Sequence, residues 1–220
     1  MREPASGRRI VLLVEGKTER GVYRHQTLPA FFHRWLDPQL PEGRKVGIHA
    51  VSMGGSPSFL SDLPQKVEEY LSRGRAHFVI GLLDLYGLPK AIDLSGCSTT
   101  AERVMAARQH IQGLVPARLR PRFHQHFAVH EIEAWLLAYP ERFPENVRKQ
   151  LKRRPPEDVN MNEPPSKYLK RLLGTKYMKT VTARNTFLSP DVDPQVAIDA
   201  CPHLRALTRT LWQVAQRLIR

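Results

Sequence analysis

Cysteine is nearly absent: Cys97 and Cys201 stand far apart and form no CxxC pair. A disulfide framework is thereby excluded, and two ordinary thiols fit a reducing compartment. No apolar run reaches the roughly eighteen residues of a membrane-spanning helix, and the first residues lack a signal-peptide core. A soluble cytoplasmic protein with no membrane partner is expected. Internal repeats and low-complexity tracts are also missing. Acids are outnumbered: 21 Asp and Glu face 34 Lys and Arg, a net charge of +13. Such an excess suits a polyanionic partner, because phosphates attract a positive field at long range. The 220 residues suffice for one large domain, or for one domain with an appended subdomain.

The most informative segment that is present runs from Arg9 to Glu19, RIVLLVEGKTE. Five consecutive apolar residues, Ile10 to Val14, predict a strand buried on both faces, as in a parallel sheet. Glu15 follows at the strand's end, where open α/β sheets bind their ligands. Gly16 lacks a Cβ and allows close approach. Glu19 returns to the same face if a helix has begun by Gly16.

Further along, Thr18 to Leu36 reads as a helix and Lys45 to Val51 as a second strand. Gly54-Gly55-Ser56-Pro57 breaks the chain and opens a helix to Ser72. His77 to Leu85 is another apolar run, ending in Asp84. Thr99 or Thr100 caps a helix to Leu114, Arg122 to Val129 is a strand, and His130 to Leu137 leads into a helix. This alternation argues for a mostly parallel α/β sheet. From residue 141 on, 16 Lys and Arg face 8 Asp and Glu, against 18 and 13 before it. Short helices are expected at Ser166 to Leu173, Pro194 to Ala200 and Pro202 to Leu218. The expected organisation is an α/β domain over 1–140 with a small basic helical cap over 141–220, packed on it or forming one domain with it.

Three strand ends thus deliver acid: Glu15 with Glu19, Asp84, and Glu131 with Glu133. Converging carboxylates repel, and a divalent cation holds them ionised together. All-oxygen ligation suits Mg²⁺ or Mn²⁺ rather than Zn²⁺. Beside a basic surface, such a cation points to phosphoryl-transfer chemistry. On a regular helix Glu131 and Glu133 would lie about 200° apart, so either one sits in the strand-to-helix turn while the other faces in from the first turn, or one is only a favourable charge at the helix N-terminus. Which is which stays open.

The pattern resembles the TOPRIM domains of topoisomerases, primases, overcoming-lysogenization-defect nucleases and ribosomal RNA maturases. Glu15-Gly16 matches their glutamate-glycine turn, and Glu19 matches the acid four residues later in the nuclease branch. Asp84 matches the first aspartate of their DxD pair, whose second position here is Tyr86. Over nearly its full length the chain is similar to a TOPRIM-like bacterial family of unknown function that shares VEGKTE, GGS, LDLYGLP, HEIEAWLL, PPSK and CPHL. The resemblance implies a TOPRIM-like fold. It also implies an ABC-type or structural-maintenance-type ATPase as partner, in settings that suggest defence against phage.

Among basic residues, Lys17 at a helix start either meets a phosphate or is solvated. The run Lys149 to Arg154 reads mainly as a solvated helix end. Pro164-Pro165-Ser166-Lys167 is a stronger substrate-binding candidate, with Ser166 able to cap a helix and Lys167 facing whatever binds there. Arg184 follows with less support. Trp35, Trp135 and Trp212 read as core. His124, His126 and His130 share one strand face, either as zinc ligands with Glu131 or, preferably, as the polar outward face of an edge strand.

The leading expectation is a Mg²⁺- or Mn²⁺-dependent nuclease or phosphodiesterase acting on DNA or RNA. Glu15 is then ligand or general base. Glu19, Asp84 and one of Glu131 or Glu133 complete the metal sites, while Lys17, Ser166, Lys167 and Arg184 hold substrate. The alternative is a non-catalytic adaptor that binds nucleic acid or docks on an ATPase, favoured by Tyr86.

Overall fold

The two continuous apolar runs become the inner strands of a sheet. A computed structural model describes residues 7–16, 27–85, 87–129, 131–151, 155–158 and 163–220. Lys17, Thr18, Glu19, Tyr86 and His130, with residues 152–154 of the KQLKRR run, lie outside the described residues. Strands β1 (Arg9–Val14), β2 (Gly47–Ser52), β3 (Phe78–Asp84) and β4 (Phe123–Ala128) pair in the order β2-β1-β3-β4. Every pairing is parallel. The chain is therefore α/β, with an all-parallel four-stranded sheet flanked by helices. β1 and β3 are central because their side chains are apolar on both faces, which only a sheet covered on both sides can bury.

Period-two alternation splits the core in two. Val11 and Leu13 of β1, Val79 and Leu83 of β3, and Phe123 and Phe127 of β4 face one side. There they meet helix α1 (Ser56–Ser72) through Phe59, Leu63 and Val67, and helix α2 (Thr100–Leu114) through Val104, Ala107 and Ile111. The start of α2 is fixed by a capping box, in which Thr99 and Glu102 each satisfy the other's backbone N–H. Ile10, Leu12, Ile80 and Leu82 face the other side. Their partners include Phe31 and Phe32 of helix α3 (Thr27–Leu36), which precedes these two in the chain, and a set of late helices. The late helices are α4 (Glu133–Leu136), α5 (Glu145–Leu151), α6 (Pro165–Leu173), α7 (Lys179–Leu188), α8 (Pro194–Ala200) and α9 (Pro202–Ile219). Leu204, Leu207, Leu211 and Val214 of α9 belong to the same core as β1, so the residues after 141 share a hydrophobic interior with the sheet.

Two local features differ from the sequence reading. His124 and His126 do share a face of β4, but α9 covers it. His126 is 7% exposed and its Nε2 lies 2.9 Å from Thr210 Oγ1. His124 stacks on Phe78 at 6.1 Å between ring centroids. The face is polar yet shielded, because a helix can cover imidazoles that find a hydroxyl or an aromatic partner. Trp135 is fully buried as expected, whereas Trp212 is 42% exposed.

Burial, with the cations of Arg108, His124 and His203, pushes the His126 pKa down to about 3. The unfolded value, near about 6.5, is higher. The unfolded chain therefore binds the proton first, and stability is lost as pH falls below that value. At a loss of about 1.4 kcal/mol per pH unit, His126 costs roughly 2 kcal/mol between pH 7 and pH 5. Urea melts at the two pH values should show this loss in the wild type and a smaller one in His126→Asn. Equal losses would remove His126 from the acid sensitivity.

Gly81 sets the spacing at the sheet's centre. A Cβ there would meet Gln125 Oε1 at 2.2 Å and Phe59 Cζ at 3.1 Å. The neighbouring strand and helix close over this position because no side chain is present.

Candidate functional site

The strand order places a topological switch point between β1 and β3, since the chain moves outward from β1 to β2 and then to β3 on the other side. Ligands of open parallel sheets bind in the crevice at such a point, beyond the strands' carboxyl ends. Glu15 and Asp84 occupy those two ends.

Glu15 is held on both sides. Its Oε2 accepts from the Asp84 backbone N–H at 3.4 Å, a long bond, and its Oε1 accepts from Ser56 Oγ at 2.9 Å. Ser56 gets there through Gly54 and Gly55, whose φ angles of +81° and +113° turn the chain back over the end of β1. The Gly55 N–H then donates to the Glu15 carbonyl at 2.8 Å. Residues with side chains adopt that backbone rarely, which is the physical content of the GGS segment. The turn fixes Glu15's rotamer while leaving the carboxylate half-buried, with lone pairs to spare.

Glu131 and Glu133 sit beyond the end of β4. Glu133 is fully buried and Glu131 nearly so, at 0% and 8% exposure. One cation, Lys179, meets both: its Nζ is 3.3 Å from Glu131 Oε1 and 3.3 Å from Glu133 Oε2. Burial opposes the Lys179 charge, but Glu133, Glu131 and Asp84 outweigh it and hold its pKa above the usual lysine value. Lys179 is also the first residue of α7, where the helix dipole disfavours a cation. Its position answers to the acids rather than to its own helix. Tyr177 adds a phenol whose pKa is raised by burial and then by Glu133 and Glu131.

The second oxygen of Glu131 has a structural task. Oε2 accepts the Ser166 backbone N–H at 3.0 Å, at the start of α6. Ser166 does not cap that helix. The N-cap is Pro164, with no side-chain cap bond, and the Glu131 carboxylate supplies the negative charge a helix N-terminus favours. Lys167 and Lys170 extend from the same helix, both exposed, and with Ser166, Tyr177 and Lys179 they line a cleft of about 290 Å³. Arg184 is exposed on α7 and does not line that cleft.

Of the candidate residues, the structure brings Glu15 beside Asp84, and Asp84, Glu131 and Glu133 into the field of Lys179. Ser166 and Lys167 border the same region, while Lys17 and Glu19 are outside the described residues. Among the described residues, no three His, Cys, Asp or Glu side chains group closely enough to hold a metal ion unaided. Sequence reasoning missed Lys179, Tyr177 and the role of Ser56. The GGS segment could have pointed to Ser56. Nothing local marks Lys179, whose partners lie nearly fifty residues upstream.

No curated protein and no solved structure matches the chain. The family model described as "Domain of unknown function (DUF4276)" matches residues 14–212, which covers every described residue of this site, and the chain belongs to that family.

Proposed function

We propose that the protein hydrolyses phosphodiester bonds of DNA or RNA with Mg²⁺ or Mn²⁺, on a sheet of the TOPRIM kind. The observation that carries the reading is the Glu15 carboxylate held against the Asp84 backbone N–H at the switch point, with a lysine-lined cleft nearby. The donor set fits a hard cation. Mg²⁺ is commonly bound through one or two carboxylates, with waters and substrate phosphates filling its shell. Glu15 and Asp84 supply two such carboxylates, and Glu15 is pre-oriented by Ser56. Glu131 and Glu133 are engaged by Lys179, which leaves them a supporting part. When bound, the cation activates water and steadies the leaving oxygen.

The chain's own residues do the rest. Lys167 and Lys170 hold the phosphate backbone as point charges. Lys179 keeps its proton at neutral pH and balances Glu131 and Glu133 beside the scissile phosphate. Glu15 orients a nucleophilic water or takes its proton. In the phage-defence setting that the resemblance to the bacterial family implies, an ABC-type or structural-maintenance-type ATPase is the partner.

A second reading keeps the fold and drops the chemistry: an adaptor that binds nucleic acid or docks on an ATPase. The Lys179 ion pairs favour it, because one lysine engages two of the acids without a metal. Calorimetry separates the two. Mn²⁺ titrated into the wild type should give heat that disappears in Glu15→Gln, and EDTA should stop cleavage of a labelled oligonucleotide until Mn²⁺ is restored. Absence of heat in the wild type decides for the adaptor.

A further inference from the structure

A second cleft, of about 260 Å³, lies on the helical layer and shares no lining residue with the acidic site. Trp35 of α3 and Trp212 of α9 line it, with Arg205 and Arg209 beside them. The Trp35 Nε1–H donates to Gln195 Oε1 at 3.0 Å, which fixes that indole plane. Arg205 is fixed as well, because its Nε donates to the Ile198 carbonyl at 3.2 Å. Arg209 is exposed. Among the described residues, no acid lines the cleft.

Trp212 is 42% exposed, so one indole face is open to a partner. Two indoles framed by two guanidinium groups, in a chain of net charge +13, make a platform for a planar ring joined to a negatively charged phosphate. We propose that this cleft anchors one unpaired base of a single-stranded nucleic acid, with the base on Trp212 and the adjoining phosphate on Arg209. A duplex cannot serve, because its bases are stacked on one another and present no free face to an indole. An acidic peptide would satisfy the arginines but leave the indoles without a flat partner. The proposal rests on the nucleic-acid reading above, yet it requires no catalysis.

The test is fluorescence anisotropy of the full chain with a labelled twelve-nucleotide oligothymidylate at low salt. Trp212→Ala should weaken binding about tenfold, the loss expected for one base-aromatic stack, and Trp212→Phe should recover most of it. An oligomer with abasic sites should bind the wild type more weakly and be nearly insensitive to Trp212→Ala. Because Trp212 is largely outside the core, unchanged thermal melts should accompany the alanine variant. Wild-type affinity in Trp212→Ala, or equal competition by polyglutamate of matched charge, would overturn the proposal. If cleavage is measured as well, Trp212→Ala should raise KM and leave kcat unchanged. Loss of the nuclease reading through Glu15→Gln leaves the anisotropy result standing.

Discussion

Glu15→Gln and Asp84→Asn should each lower metal-dependent cleavage by about a thousandfold, with little change in stability. Glutamine fits the Glu15 site. Its carbonyl can accept from the Asp84 N–H, and its amide can donate to Ser56 Oγ, since a hydroxyl serves as either partner. The substitution therefore retains the local bonds and removes the charge. Loss of one preorganised charge contact to a transition state costs about 2.7–4 kcal/mol, or two to three orders of magnitude in rate. On the proposed mechanism the charge would also recruit the cation, which places the expected effect at the upper end. Single-turnover cleavage in Mn²⁺ measures it, with thermal melts run alongside. Cleavage at the wild-type rate in both variants would assign the acids to structure and favour the adaptor.

The second large effect concerns stability. Lys179→Met should destabilise the protein by about 2–3 kcal/mol at pH 8. Breaking a fully buried ion pair costs about 3–5 kcal/mol. The Lys179 side chain is 41% exposed, so water screens part of that. In the variant, Glu133 stays fully buried and loses its counter-charge. A carboxylate so placed favours its neutral form, and its folded-state pKa rises above the unfolded value of about 4.3. The folded state then binds the extra proton. The variant should regain stability as pH falls through that raised pKa. Urea melts at pH 8 and pH 5.5 test this, and Glu133→Gln added to Lys179→Met should restore much of the loss at pH 8. A variant as stable as wild type at both pH values would show that the acids do not depend on Lys179.

Which parts of this structure could be read from residues alone follows from where the information lies. β1 and β3 were legible because a continuous apolar run admits few alternatives once helices alternate with it. The position of Glu15 was legible because it directly follows the apolar run that forms β1. Helix α7 was not. Its sequence, KTVTARNTFL, is rich in Thr with an Asn, residues of modest helix propensity. It forms because Ala183 and Phe187 are buried, with Phe187 meeting Phe31 at 5.1 Å between ring centroids. Tertiary packing overrode local preference, and with the helix went Lys179 at its start. The histidine face of β4 shows the same limit. Alternation revealed which residues share a side, but only α9, some eighty residues later, determines what covers it. Ser166 was read as a cap from its type, whereas Glu131, distant in sequence, fills that role.

The shared interior of sheet and late helices carries a consequence for biogenesis. Residues of β1 and α9, about two hundred positions apart, belong to one hydrophobic core, so much of the native free energy arrives only when synthesis is nearly finished. Lys179 reaches Glu131 and Glu133 only with that late segment. A nascent chain halted before it would leave those carboxylates without the lysine and the strands' second face only partly covered, by α3. Assembly of the charged centre and completion of the hydrophobic interior thus both wait on the late helices, and a chain caught short of them would be prone to aggregate.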